Sequence, residues 1–254
     1  MEKMHIDRID FTEAKRCGFC DRPLPLGIAH IVRMDDQTEI AAGPVCARKN
    51  APTEDYPNFT TAASYTDEQI EPSDGHRAGR RLKEDTSERR AETERHRAVT
   101  YLRLRQEKMS DFPNVRHSVL DPIYERFCSG GLTNDDVAHL GRLMAVVEQR
   151  YPLLALNALK TAYAYHKLIL RAAEKIEHEE KRQYLLSLDE YLRANLRLTP
   201  AQIDGANRWL EHLGQVRLRQ CSCWKAALRS AVASRHSAPV YKRPASRNEY
   251  TPRA

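Results

Sequence analysis

The sequence predicts a mainly α-helical protein that opens with a small β-hairpin zinc module and continues into an α-helical bundle. Three observations predict it. A C-x2-C knuckle, "CGFC" at 17–20, is followed after a strand-like stretch by Cys46 at a helix start. Residues 117–213 carry helix caps and apolar positions at helical spacing. Aromatics make up 7% and charged residues 30% of the 254 residues, so the folded part shares the chain with solvated segments.

Residues 1–60 read as the zinc module. "MEKMHIDRIDF" is charged and lacks an apolar h-region, which predicts no secretory signal and a cytoplasmic location. "GIAHIVRM" and "QTEIAA" flank Asp35-Asp36 as two strands around a hairpin turn. Gly43-Pro44 then introduces "VCARKN", a short helix with Pro at N1. Knuckle, hairpin and helix in that order make a treble-clef-like unit. Residues 51–75 hold three prolines without periodicity and read as a linker. Within 61–110, the stretch 76–109 sets Ala91, Ala98, Leu102 and Met109 on a thin stripe among charges. That pattern predicts an exposed helix, packed loosely or paired with a partner and supported by Glu/Arg pairs three and four residues apart, with partial disorder as the alternative.

Residues 111–214 are the helical bundle. Asp121-Pro122 starts a helix that Gly130-Gly131 closes. Thr133 caps a second, with Val137, Leu140, Met144 and Val147 on one face, and Pro152 restarts the chain for a third. The run "EKIEHEEKR" (174–182) is either a bend or a bare stretch of one long helix. Thr199, Pro200 and Gln202 form a capping box ahead of Ile203, Ala206 and Leu210. No run of about 18 apolar residues exists, so no spanning helix and no membrane partner are expected.

Six cysteines are too few and too uneven for a secreted disulfide framework, so the knuckle reads as metal-binding or redox-active. Pro23 and Pro25 oppose the helix a thioredoxin-like site needs, which favours metal. Zinc takes thiolate or imidazole ligands in a tetrahedron, and Cys17, Cys20 and Cys46 supply three. Paired four-cysteine sites place the last ligand three residues from Cys46, where Gly43 and Lys49 stand. His30, on the first hairpin strand, is the nearest replacement. His5 and, from the helical body, Cys128, Cys221 or Cys223 are the others. The expected cofactor is a structural Zn2+ on Cys17, Cys20, Cys46 and His30.

Laid out this way, "CGFCDRPL…GPVCARK" resembles the small zinc-binding domain with pattern C-x2-C-x-R-x-L…G-P-x-C, found in phage, plasmid and actinobacterial proteins of uncharacterised function. Cys17, Cys20, Arg22, Leu24, Gly43, Pro44 and Cys46 match it. The resemblance covers roughly 35 residues. It implies a phage or mobile-element context and nucleic-acid contact, and names no activity. Ala29-His30-Ile31 also resembles, more faintly, the Asp-His-Ile of HNH-type treble-clef nucleases. Ala29 stands where that Asp belongs, and a His30 that binds zinc cannot also activate water.

Charge is uneven. Residues 215–254 hold nine Lys and Arg against one Glu, although the whole chain is only +6. Arg217, Arg219, Lys225, Arg229, Arg235, Lys242, Arg243 and Arg247 are the candidate nucleic-acid contacts, able to neutralise phosphates without reading sequence. Trp224 and Tyr241 can stack on bases, but Trp224 beside Leu228 suits packing better. No Walker A, G-x-G-x-x-G, G-x-S-x-G or H-E-x-x-H occurs, so neither catalysis nor a small-molecule substrate is expected. The sequence points first to non-catalytic nucleic-acid binding, then to a protein–protein adaptor or modulator of a host protein, and third to an HNH-like nuclease.

Overall fold

The computed structural model describes residues 4–24, 27–51, 56–60 and 85–212, together with Leu218 and Trp224, and its first element is one that alternation conceals. His5–Phe11 is a strand, β1, preceding the predicted hairpin. It pairs antiparallel with β2 (Ile28–Arg33), which pairs with β3 (Glu39–Ala42), in the order β1-β2-β3. The register shifts between Ile6 and Arg8, so Asp7 occupies a β-bulge. The bulge lets Ile6 and Ile9 share one face although they are three apart, and that hides the strand from a period-2 reading.

The hairpin turn lies where Asp35-Asp36 predicted it. Gln37 adopts φ +68° and Asp36 Oδ1 accepts from Thr38 N at 2.9 Å. α1 (Pro44–Asn50) follows, with Gly43 as its N-cap. Ile6, Val32, Ala42, Ala47, Ala51 and Cys17 form the small core between sheet, helix and knuckle. Residues 56–60, placed in the linker by their prolines, run beside β1 instead. Ile9 N donates to Pro57 O at 2.8 Å and Phe59 N to Ile9 O at 3.0 Å. Phe59 is fully buried against the helical body.

α2 (Asp85–Arg103) departs most from the exposed helix predicted for 76–109. Its C-terminal half is central: Ala98, Tyr101 and Leu102 are buried, as are Leu104 and Met109 beyond it. Arg90, Glu92, Glu94 and Arg97 are exposed as the charges suggested, but Arg103 and Arg105 are buried with partners. Arg105 donates to Val115 O and Tyr101 Oη, both at 2.6 Å. A π-turn at Leu104–Lys108, closed by Met109 N to Leu104 O at 2.9 Å, widens the helix so that Arg103 and Lys108 both face β1.

α3 (Asp121–Gly130) is preceded by a 3-10 turn whose cap is His117, so Leu120 rather than Asp121 is its N-cap. α4 (Asn134–Arg150) begins with a complete capping box between Thr133 and Asp136. α5 (Leu156–Lys175) is the central helix, buried nearly all round from Ala158 to His166 and on one face onward to Ala173. The charged run is a bend: α5 ends at Lys175 and α6 (Glu179–Asn195) starts afresh. His166 of α5, an isolated histidine in the sequence, is a satisfied core residue, its Nδ1 2.6 Å from Asp189 Oδ1 of α6. α7 (Pro200–His212) is capped by Thr199, whose Oγ1 accepts from Gln202 N at 3.3 Å while Gln202 Oε1 accepts from Thr199 N at 2.9 Å.

Beyond α7, Asn207 clamps the backbone of Leu218 with two bonds of 2.6 and 2.8 Å. Trp224 is fully buried, edge-on to Tyr165 at 5.2 Å. It packs, as its neighbour Leu228 suggested. Among the described residues, no helix is long and apolar enough to cross a membrane.

Candidate metal centre

The knuckle is built by backbone. Cys17 N donates to Arg22 O at 2.8 Å and Asp21 N to Cys17 O at 2.9 Å, folding 17–22 into a tight loop with Asp21 at φ +57°. Gly18 N donates to Ala41 O at 2.9 Å, which fastens the loop to β3. The approach leaves no room for a side chain, because a Cβ on Gly18 would stand 2.6 Å from Ile40 Cγ2. Pro44 sets α1 so that Cys46, in its first turn, faces the same point.

The three sulfurs of Cys17, Cys20 and Cys46 lie within 4.8 Å of one another. Cys17 is buried, Cys46 half-buried and Cys20 exposed. Burial pushes the Cys17 thiol up, but the N–H groups of Gly43, Phe19 and Cys20 outweigh it and bring Cys17 down to about 7. Gly43 N sits 3.4 Å from its Sγ. The Cys46 thiol is raised to about 11, chiefly by its hydrogen bond to Cys20 and then by burial. One thiol is primed as thiolate and the others crowd it, as a metal-binding trio does. These three cysteines can hold a metal ion.

His30 does not join them. The cluster of ligand atoms contains only the three cysteines among the described residues. The His30 ring stands edge-on to Tyr56 at 5.7 Å, with Nδ1 3.3 Å from Tyr56 Oη. Burial and then the charge of Arg48 lower its pKa, which favours the uncharged imidazole. Cys128 lies exposed on α3, also outside the cluster. Cys221, Cys223 and all eight candidate nucleic-acid contacts, from Arg217 to Arg247, lie outside the described residues.

A second constellation, which the sequence did not single out, joins the module to the helical body. Arg103 places both terminal nitrogens on Asp7 at 3.1 Å and its Nε on Glu107. Lys108 Nζ reaches Asp10 Oδ2 at 2.6 Å, and Tyr163 Oη donates to Asp10 Oδ1 at 3.0 Å. Arg8 grips Glu39 with two 2.7 Å bonds, and Arg33 joins Glu39 at 2.8 Å. A cavity of about 370 Å³ opens along this seam, lined by Asp7, Arg8, Arg33, Glu39, Arg103 and Glu107 with Tyr124 and Cys128 among others. Its cations and carboxylates neutralise one another, which makes it the mouth of an interface rather than a one-signed anion site. "HIDRIDF" holds the only sequence signal, a strand whose outward face is charged.

No protein-family model matches the chain, and no curated protein or solved structure matches it either.

Proposed function

We propose that this chain is a non-catalytic nucleic-acid-binding protein whose N-terminal unit is stapled by a structural zinc ion on Cys17, Cys20 and Cys46. The convergence of those three thiols carries the reading. The core beside them consists of Ile6, Val32 and three alanines with Cys17, which is little apolar surface for an independent unit. A metal supplies folding free energy that such a core lacks. Three thiolates suit zinc by softness, and among the described residues no carboxylate joins the cluster. Ala29 in place of the Asp, and the Tyr56 hydroxyl 3.3 Å from His30 Nδ1, argue against the nuclease reading.

The nucleic-acid part rests on charge. Nine Lys and Arg against one Glu in 215–254 form a footprint for an anionic polymer. Leu218 and Trp224 root that segment in the helical core, and Arg217, Arg219 and Lys225 are their sequence neighbours. The phage or mobile-element setting that the cysteine motif implies accords with such a role. A protein partner is the second reading, favoured by Val146 on α4 and Tyr151 at its end, which are 50% and 59% exposed.

Fluorescence anisotropy with labelled single- and double-stranded oligonucleotides across a salt series tests the proposal. Truncation before Leu218 would also remove two core side chains, so the better comparison is the full chain with Arg235, Lys242, Arg243 and Arg247 each changed to Gln. Binding should weaken steeply with salt, and the slope should fall by about 0.9 for each duplex phosphate that the variant no longer neutralises. No binding at low salt, or an unchanged slope in the variant, sinks the reading and directs the search to proteins that dock on α4.

A further inference from the structure

Charge in the N-terminal module is sorted by position, and its sum conceals this. The three strands and their hairpin turn, residues 5–11 and 28–42, hold two arginines against five carboxylates. The knuckle and α1, residues 12–24 and 43–51, hold five cations against two carboxylates. One of those two, Asp21, is tied to Arg16 at 2.7 Å. Resting on the nucleic-acid reading above, we infer that this knuckle end is a second phosphate-binding surface, carried by Lys15, Arg22, Arg48 and Lys49. The folded module then holds nucleic acid together with the tail.

The fold gathers these cations. Leu24 N donates to Lys15 O and Cys17 N to Arg22 O, both at 2.8 Å, which lays the two sides of the knuckle together with Lys15 near Arg22. Arg22 follows Cys20 by two residues, and Arg48 and Lys49 follow Cys46 by two and three. The sulfurs of those cysteines lie within 4.8 Å of each other, so the two cationic segments meet. All four side chains are exposed. Among the described residues, Lys15, Arg22 and Lys49 make no ion pair or side-chain hydrogen bond, and Arg48 commits only its Nε, to Pro44 O at 3.1 Å. The cations of the seam differ: Arg8, Arg33, Arg103 and Lys108 are each held by carboxylates. Unpaired cations clustered at one end attract a polyanion. Val45, 60% exposed beside Cys46, sets an apolar side chain among them that can rest on a base edge.

The root of the tail favours a polymer over a small anion. The module packs on α5 at Tyr163, which donates to Asp10, and Trp224 packs on α5 at Tyr165. Two residues on a helix are about 3 Å apart along its axis, so both anchors sit at one level of α5. A single nucleic acid crossing there reaches the tail and the module.

Anisotropy of a labelled duplex with the full chain across a salt series tests the inference. One variant carries Lys15→Gln, Arg22→Gln and Lys49→Gln, and the four-residue tail variant above runs beside it. The module variant should lose about 0.9 of salt slope for each phosphate it no longer neutralises, about 2.7 in all, and that loss should add to the tail variant's. Its Tm should stay the same, because the altered side chains are exposed and unpaired. A charge-keeping variant, Lys15→Arg with Arg22→Lys and Lys49→Arg, should keep the slope; a loss equal to that of the Gln variant would make the effect structural and overturn the inference. An unchanged slope in the Gln variant, with the tail variant's slope reduced, overturns this inference and leaves the tail reading standing. The reverse pattern supports the module surface and refutes the tail footprint. No binding by the unaltered chain refutes both. Polyglutamate that displaces the duplex equally well at equal charge overturns it in favour of an acidic protein partner.

Discussion

Replacing Asp7 with Asn keeps its shape and removes its charge at the point where the N-terminal module meets the helical body. Asp7 accepts both terminal nitrogens of Arg103 at 3.1 Å, contacts Arg33 at 3.4 Å and is bonded by Arg8. The side chains of Asp7 and Arg103 are 12% and 5% exposed, so solvent screens the pair poorly. Removing one partner of a buried pair costs about 3–5 kcal/mol. Arg103 would keep Glu107, which holds its Nε at 3.1 Å, so the lower end, about 3 kcal/mol, applies. For a chain of this size that lowers Tm by about 6–12 °C. Thermal unfolding followed by circular dichroism at neutral pH reads it, and a double-mutant cycle with Arg103→Met isolates the pair. The coupling should be about 1–3 kcal/mol and little changed by salt. A loss under about 1 kcal/mol, or coupling that salt abolishes, would class the pair with ordinary surface ion pairs and refute the seam as a structural joint.

The same seam has an acid limit. Arg8's hydrogen bonds outweigh burial and hold Glu39 at about 2. Burial pushes the Asp7 carboxyl up, but Arg103 and its neighbouring arginines outweigh that and keep it below its usual value. Both carboxyls bind protons more readily unfolded, so their stabilisation is complete above the ordinary carboxylate range, about pH 4, and is lost as pH falls toward 2. Tm should hold above that range and drop below it, less steeply in Asp7→Asn; an acid profile identical in that variant would contradict the assignment. Trp224→Ala should cost about 3–5 kcal/mol by opening a core cavity. Trp224→Phe should cost much less, because the indole Nε1 is buried without a hydrogen-bond partner among the described residues. Equal losses in the two variants would show that Trp224 is not seated on Tyr165. Gly18→Ala should destabilise the module by about 1–3 kcal/mol, since its methyl collides with the stiff Ile40 side chain. Calorimetry showing no change would mean that the knuckle does not lie against β3.

The capped helices were the most legible part of the fold. Thr133 reads as a cap and Thr199 as a capping box in the sequence, and each closes a box in the structure, because that signal is local. The knuckle, hairpin and α1 were equally readable, since spacing and turn residues place them. β1 was not, because the bulge at Asp7 breaks its alternation. The centrality of α2 escaped for a different reason: Arg103 and Arg105 look solvated until their distant partners, Asp7 and Val115, are known. The site divides the same way. Three ligands follow from motif spacing, whereas the orientation of His30 depends on Tyr56, twenty-six residues away.

Elemental analysis of the purified full chain, unaltered and with Cys17, Cys20 or Cys46 changed to Ser, tests the central claim most directly. About one zinc ion per chain, lost with each substitution and with chelation that also lowers Tm, is the predicted result. A metal content that all three substitutions leave untouched, or a chain that folds with equal stability in chelator, would contradict it.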